Sequence, residues 1–147
     1  MKLVVQRVNS ARVTEVKSGK TVGKIEKGLL VLLGIGKTDT EKDADYLVGK
    51  LLNLRIMSDN SNKINLSIVN VNAALLVVSQ FTLYADTAKG NRPSFTSAEE
   101  PSKAEYLYGY FVGKLKEANV RVETGSFGEY MRLDCDLDGP VTILLER

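Results

Sequence analysis

"MKLVVQRVNSARVTEVKSGKTVGKIEKGLLVLLGIG", Met1 to Gly36, decides the class of this chain. Polar and apolar residues alternate in its first half, the pattern of strands with one wet face. LLVLLGI is instead apolar throughout, as in a strand buried on both faces. The spacing predicts strands near 2–8, 11–16, 21–26 and 29–35, with Gly19, Gly23 and Gly28 punctuating the turns. The opening third is therefore mostly β.

Beyond it the period changes. Ala44, Leu47, Val48, Leu51 and Leu52 fall at helical spacing, and Asp39 or Thr40 can cap the first turn. LRIM (54–57) reads as a short strand, SDNSNK (58–63) as a polar turn, and AALLVVSQFTL (73–83) as a central strand ending in polar residues. YADTAKGNRPSFTSAEEP (84–101) has no period, and aperiodic loops of this length in compact domains are often functional. A second helix is predicted from Ser102, with Glu105 completing a capping-box pattern. Its apolar face comprises Ala104, Leu107, Tyr108, Phe111, Val112 and Leu115, and Tyr106 and Tyr110 lie off that face. NVRVET (119–124), EYMRLDCDL (129–137) and VTILLE (141–146) read as closing strands on either side of Gly139-Pro140. Strands outnumber helices and do not alternate with them regularly. The expected fold is α+β, one domain over 1–147, with a barrel-like mixed sheet and two amphipathic helices packed outside.

Composition narrows the chemistry. The 147 residues are 44% apolar, enough for one core, with a net charge of +2. Residues 1–63 carry 12 Lys/Arg against 7 Asp/Glu, and residues 64–147 carry 8 against 11, so any phosphate-facing side belongs to the amino-terminal part. Lys17, Lys20, Lys24 and Lys27 read equally well as solvated hairpin residues. No apolar run is long enough to span a bilayer, and a cytoplasmic protein is expected. One cysteine, Cys135, excludes an internal disulfide, and the absence of His removes every His-dependent triad.

Two lookalike motifs fail on spacing. GIGKTDT (34–40) sits between a strand and a helix, as a phosphate loop would, but the position five residues before Gly36 is Val31 rather than glycine. DCDLDG (134–139) copies the start of an EF-hand loop, but the bidentate Glu would fall on Leu145 and the seventh place is Pro140. On a strand Met131, Leu133, Cys135 and Leu137 share one face, while Arg132, Asp134, Asp136 and Asp138 share the other. This places Cys135 in the core and the acids on a solvated face, without a metal site. Catalysis must then rest on hydroxyls, amides, Lys, Arg, carboxylates or backbone N–H groups, and Ser79, Gln80 and Thr82 at a strand's carboxyl end form the best cluster.

SQFTL (79–83) and GPVT (139–142), in this order and at this separation, resemble the D-aminoacyl-tRNA deacylase family. The likeness extends through VVQRVNSARV (4–13), IEKGLLVLLGI (25–35), NLRIM (53–57), KGNRPSF (89–95) and TGSFGEYM (124–131). Leu137 departs from it, since members commonly carry Asn in the pair before Gly-Pro. The resemblance implies a cytoplasmic homodimer without a cofactor that hydrolyses the ester of D-aminoacyl-tRNA, with glycyl-tRNA as a further substrate class. It also implies a cis Gly139-Pro140 offered to the partner's pocket to exclude L side chains, with Val141 and Thr142 completing the substrate-binding motif. Ser79, Gln80, Phe81 and Thr82 would line the pocket, with Thr82 or the ribose 2′-hydroxyl supplying the chemistry. A hydroxyl without an adjacent base is a poor nucleophile, which favours the 2′-hydroxyl, with backbone N–H groups near Phe81 and Thr82 holding the oxyanion. Arg7 is the candidate support for the Gly-Pro loop, or an ordinary strand charge. Phe127 is a wall for the terminal adenosine, or a core aromatic. The competing class is a non-enzymatic dimeric RNA-binding protein.

Overall fold

The first strand does more than its alternation suggests. In the computed structural model, which describes residues 1–147, the two strands expected at 2–8 and 11–16 are one, β1 (Lys2–Glu15). β2 (Thr21–Ile25) and β3 (Gly28–Gly34) follow, then α1 (Glu41–Asn53), a small ribbon of β4 (Met57–Ser58) and β5 (Ile64–Leu66), and β6 (Ala74–Ser79). A short 3-10 turn at Phe81–Tyr84 precedes α2 (Pro101–Glu117), β7 (Val122–Thr124) and β8 (Met131–Glu146). The break expected at Gly139-Pro140 does not divide β8, which pairs antiparallel with β1 on both sides of it.

β1 meets β3 through its first half and β2 through its second, both antiparallel, while β8 lies along its other side. β3, β6 and β7 are parallel neighbours, so the sheet is mixed. It curls until β2 approaches β7: a Cβ on Gly23 would stand 2.4 Å from the Thr124 carbonyl oxygen and 2.9 Å from Leu76 Cδ1. Only glycine allows that approach, which brings the sheet close to a closed barrel. The fold is α+β, as expected, with both helices outside the barrel.

Alternation along β3 explains its unbroken apolar run. Leu29, Val31 and Leu33 join Leu3, Val5, Leu75 and Val77 beneath Leu47 and Leu51 of α1 and Phe111 and Leu115 of α2. Leu30 points the other way, to the barrel interior with Val8, Val13, Ile25, Leu76 and Val78. Both faces of β3 and β6 are thus dry.

The helix starts show one success and one correction. Thr40 is the N-cap of α1, and its N–H and hydroxyl donate to Asp43 at 2.9 and 2.7 Å, holding that carboxyl below its usual range. Asp39 is buried instead: it accepts the Gly36 N–H at 2.6 Å, the Tyr84 hydroxyl at 3.2 Å and the Met1 ammonium at 2.5 Å. GKTD is therefore a turn closed by its own aspartate. At α2 the expected Ser102 cap is overturned. Pro101 occupies the first turn, where its missing N–H costs nothing, and Ser102 lies inside the helix with its hydroxyl on Glu100 at 2.6 Å. Tyr106 and Tyr110 reach across to Glu41 and Asp45 of α1, tying the helices together.

Gly23→Ala should cost about 1–3 kcal/mol of stability through this overpacking, because the obstructing atom is backbone and cannot rotate away. Urea unfolding of the two proteins measures the difference.

Candidate active site

β6 ends between β3 and β7 in a tight turn. The Gln80 N–H makes the last rung to the Leu33 carbonyl at 2.8 Å, and the chain then tightens into the 3-10 turn. The first N–H groups of such a turn have no acceptor within it. Those of Phe81 and Thr82 donate to no loop carbonyl and to no side chain. Gln80 Nε2 donates to Thr82 Oγ1 at 2.5 Å, and that hydroxyl contacts no carboxylate, amine or other base. Thr82 is thus positioned but not activated.

This segment separates two hollows. One, of about 310 Å³, is bounded by Ser79 through Thr82 and by Gly128, Tyr130 and Met131. The other, of about 380 Å³, takes Ser79 and Phe81 as one wall, with Phe95, Ala98, Glu99 and Phe127 opposite. Phe81, 57% exposed, meets Phe95 edge to face at 5.1 Å between centroids. Phe127 leans on Tyr108 at 5.8 Å, and the Tyr108 hydroxyl donates to the Val77 carbonyl at 2.8 Å. Burial pushes the Tyr108 phenol up to about 12. Phe127 is therefore cavity wall and core edge together. Its loop is held by the Ser126 hydroxyl, which donates to Glu15 at 2.5 Å and lowers that carboxyl's pKa.

Gly139-Pro140 lies elsewhere. In the pairing of β8 with β1, Gln6 faces Thr142 and Val8 faces Leu137, so Asp138 through Val141 bulge opposite Arg7 alone. The Gly139-Pro140 bond is cis, and both residues are exposed. Arg7 is 6% exposed beneath the bulge. Its Nη1 donates to the Ile56 carbonyl at 2.9 Å and Ser58 Oγ at 3.2 Å, and its Nη2 to Asp138 Oδ1 at 3.4 Å. Nε lies 2.9 Å from Asp138 Oδ2, but its N–H is not aligned with an acceptor. Gln6 Nε2 reaches Thr142 Oγ1 at 3.4 Å, and Val141 packs against the helix-side core. Arg7 is not a surface strand charge: it is the buried floor of the bulge.

The structure gathers Ser79, Gln80, Phe81, Thr82 and Phe127 at one place, and Arg7, Gly139, Pro140, Val141 and Thr142 at another. Neither Gly139 nor Pro140 borders either hollow within the same chain. Phe95 and Glu99 are additions to the site, and the signal for them was the aperiodic 84–101 stretch. Cys135 requires a correction, since it is exposed rather than core, and Leu137 is 43% exposed beside it. β8 is an outer strand, and this part of it has no second layer above it. The acids of DCDLD also differ from a uniformly solvated face. Asp134 meets Arg12 at 3.0 Å and Arg132 at 3.5 Å, and Asp138 meets Arg7.

The end of β6 thus sets a base-free hydroxyl beside an aromatic hollow, at the edge of a curled mixed sheet with outer helices. The sequence model of the D-Tyr-tRNA(Tyr) deacylase family matches residues 4–146, and the chain belongs to this family of hydrolases. The D-aminoacyl-tRNA deacylase of Thermosipho melanesiensis is 58% identical over 147 residues, covering 99% of this chain and 97% of that protein. That of Clostridioides difficile is 51% identical over 146 residues, with the same coverage. Among solved structures, a c-Myc DNA Unwinding Element Binding Protein superposes with a TM-score of 0.93 at 41% identity, covering 100% of this chain and 99% of that one. A probable eukaryotic D-amino acid tRNA deacylase shares the fold at a TM-score of 0.84 and 18% identity, covering 98% and 97%.

Asp138→Ala should destabilise the protein by about 2–3 kcal/mol, somewhat less than the loss of a partner in a fully buried pair because Asp138 is partly wet. Denaturant midpoints at constant slope test this.

Proposed function

We propose that this protein releases D-amino acids from tRNA by hydrolysing the ester to the terminal ribose, and accepts glycyl-tRNA as a substrate of the same geometry. The observation that carries the mechanism is the pair of N–H groups that open the 3-10 turn at Phe81 and Thr82, without an acceptor inside it, next to a hydroxyl without a base. Two neighbouring backbone donors suit the oxyanion that forms when water attacks the ester carbonyl. The ribose 2′-hydroxyl beside that carbonyl assists the attacking water, and the 3′-oxygen leaves with a proton. Ser79 and Gln80 shape the pocket, and the Gln80 amide holds Thr82 in place.

Chirality is assigned to Gly139-Pro140 acting from a second copy of the chain, in a cytoplasmic homodimer. Three features support this reading: the dipeptide is exposed, it lies outside both hollows of its own chain, and it is braced from beneath by Arg7. β8 also carries Leu137 and Leu144 at 43% and 62% exposure, apolar surface suited to a partner. Backbone atoms on a braced bulge reject whatever projects from one side of the substrate α-carbon and accept hydrogen or a D side chain. Selection is then steric.

Purified protein should release D-tyrosine from charged tRNA and spare the L-tyrosyl ester; binding without turnover would make it an RNA-binding protein instead. Thr82→Ala should keep measurable turnover, whereas tRNA ending in 2′-deoxyadenosine should be a much poorer substrate. An acyl group trapped on Thr82 would refute the 2′-hydroxyl mechanism.

Gly139→Ala probes the bulge. Gly139 sits at φ +129, and a Cβ there would stand 2.7 Å from the Val141 nitrogen. The substitution should lower activity or the D-over-L ratio by about tenfold or more, the effect expected of a displacement on the order of 1 Å at a reacting centre. Steady-state rates on both esters read this out.

A further inference from the structure

Glu99 stands out in the aromatic hollow. Phe81, Phe95 and Phe127 supply apolar surface there, and Glu99 is the one acid among the lining residues. Its side chain is only 8% exposed. The backbone around it is tied down, because the Glu99 N–H donates to the Ile35 carbonyl at 2.9 Å and Ala98 bridges to Gly36. Oε1 accepts the Glu100 N–H at 2.9 Å, and Oε2 accepts Lys103 Nζ at 2.6 Å. The Lys103 hydrogen bond holds this carboxyl below its usual range, so Glu99 is ionised and can only accept. A carboxylate offers about four lone-pair positions, and two are used. A rigid acceptor with spare capacity therefore sits in a wall otherwise made for a flat, apolar-faced ligand.

We propose that Glu99 reads the exocyclic amine of the tRNA's terminal adenine, and so makes the hollow selective for a 6-amino purine. The inference rests on the reading of this protein as a tRNA deacylase, with the hollow between Phe81, Phe95 and Phe127 seating the terminal nucleoside. An amine hydrogen satisfies the free lone pair, and the base faces lie against the phenyl rings. A 6-oxo purine would present a carbonyl oxygen to a carboxylate and be repelled. A purine without a 6-substituent leaves the acceptor unpaired. Discrimination at this position thus comes from a carboxylate with little access to water that one base satisfies and the others do not.

The test measures binding of AMP, purine riboside monophosphate and IMP by calorimetry, alongside deacylation of D-tyrosyl-tRNA, for the full chain and for Glu99→Ala and Glu99→Gln. The unaltered protein should bind purine riboside monophosphate about tenfold more weakly than AMP, as for one lost hydrogen bond to a charged group, and IMP more weakly still. Glu99→Ala should bring the three within about twofold of one another. Glu99→Gln, whose amide can donate to a 6-oxo group, should improve IMP relative to AMP. This second variant reads the proposal even if the alanine protein folds poorly. Equal binding of the three nucleotides by the unaltered protein overturns the inference, as does an unchanged preference in both variants. A uniform loss on all three nucleotides also overturns it, because Glu99 would then only support the wall. Failure of the deacylation arm alone would remove the proposed function, while the nucleotide ratios still judge Glu99.

Discussion

A guanidinium with almost no access to water holds this architecture at its most irregular point. Arg7 lies on β1, the strand that borders β2, β3 and β8, so any displacement there would be felt across the sheet. Opposite it β8 carries four residues, Asp138 to Val141, where the ladder has room for one. A bulge of that size leaves backbone groups without rungs. Arg7 fills the space and binds the Asp138 carboxylate at the bulge and the Ile56 carbonyl beside the β4–β5 ribbon. A buried cation is tolerable only with partners of this kind, so bulge and arginine depend on one another. The outcome is an exposed dipeptide whose base cannot sag.

The candidate site depends on a different irregularity, the end of β6. A strand that continued past Ser79 would pair its N–H groups with β3, whereas those of Phe81 and Thr82 open a 3-10 turn and have no acceptor inside it. The same turn directs Phe81 outward to meet Phe95. Donors and aromatic wall therefore have one origin. Asp39 helps to hold the turn from its far end, since Tyr84 closes the turn and its hydroxyl binds Asp39, which also clasps Gly36 at the head of α1. Burial and the neighbouring Asp39 charge both raise the Tyr84 phenol, so it stays a neutral donor.

Much of the fold was legible, and the errors have physical causes. The period of α1, its Thr40 start and the two-faced burial of β3 and β6 follow from local spacing. The α2 cap was misread because Pro101 is the stronger local signal: its fixed φ suits the first turn and its lack of an N–H is harmless there. Cys135 looked buried because alternation places it with Met131 and Leu133. Alternation identifies which residues share a face and is silent on whether another layer covers that face. The pairing of Asp138 with Arg7 crosses 131 positions and has no local signature.

For the site, the sequence by itself determined the chemistry available: no imidazole, one thiol, and polar residues confined to Ser79–Thr82 at the end of an apolar strand. It also settled the α+β class, because strand and helix periods are properties of neighbouring residues. Only the tertiary structure decided which of these groups meet. It brought Phe95, Glu99 and Phe127 to Phe81, set Arg7 under the bulge, and kept Gly139-Pro140 away from its own chain's hollows. The reason is that spacing along a chain fixes direction over a few residues, while contact between distant segments depends on strand register, sheet curl and the bulges that offset them.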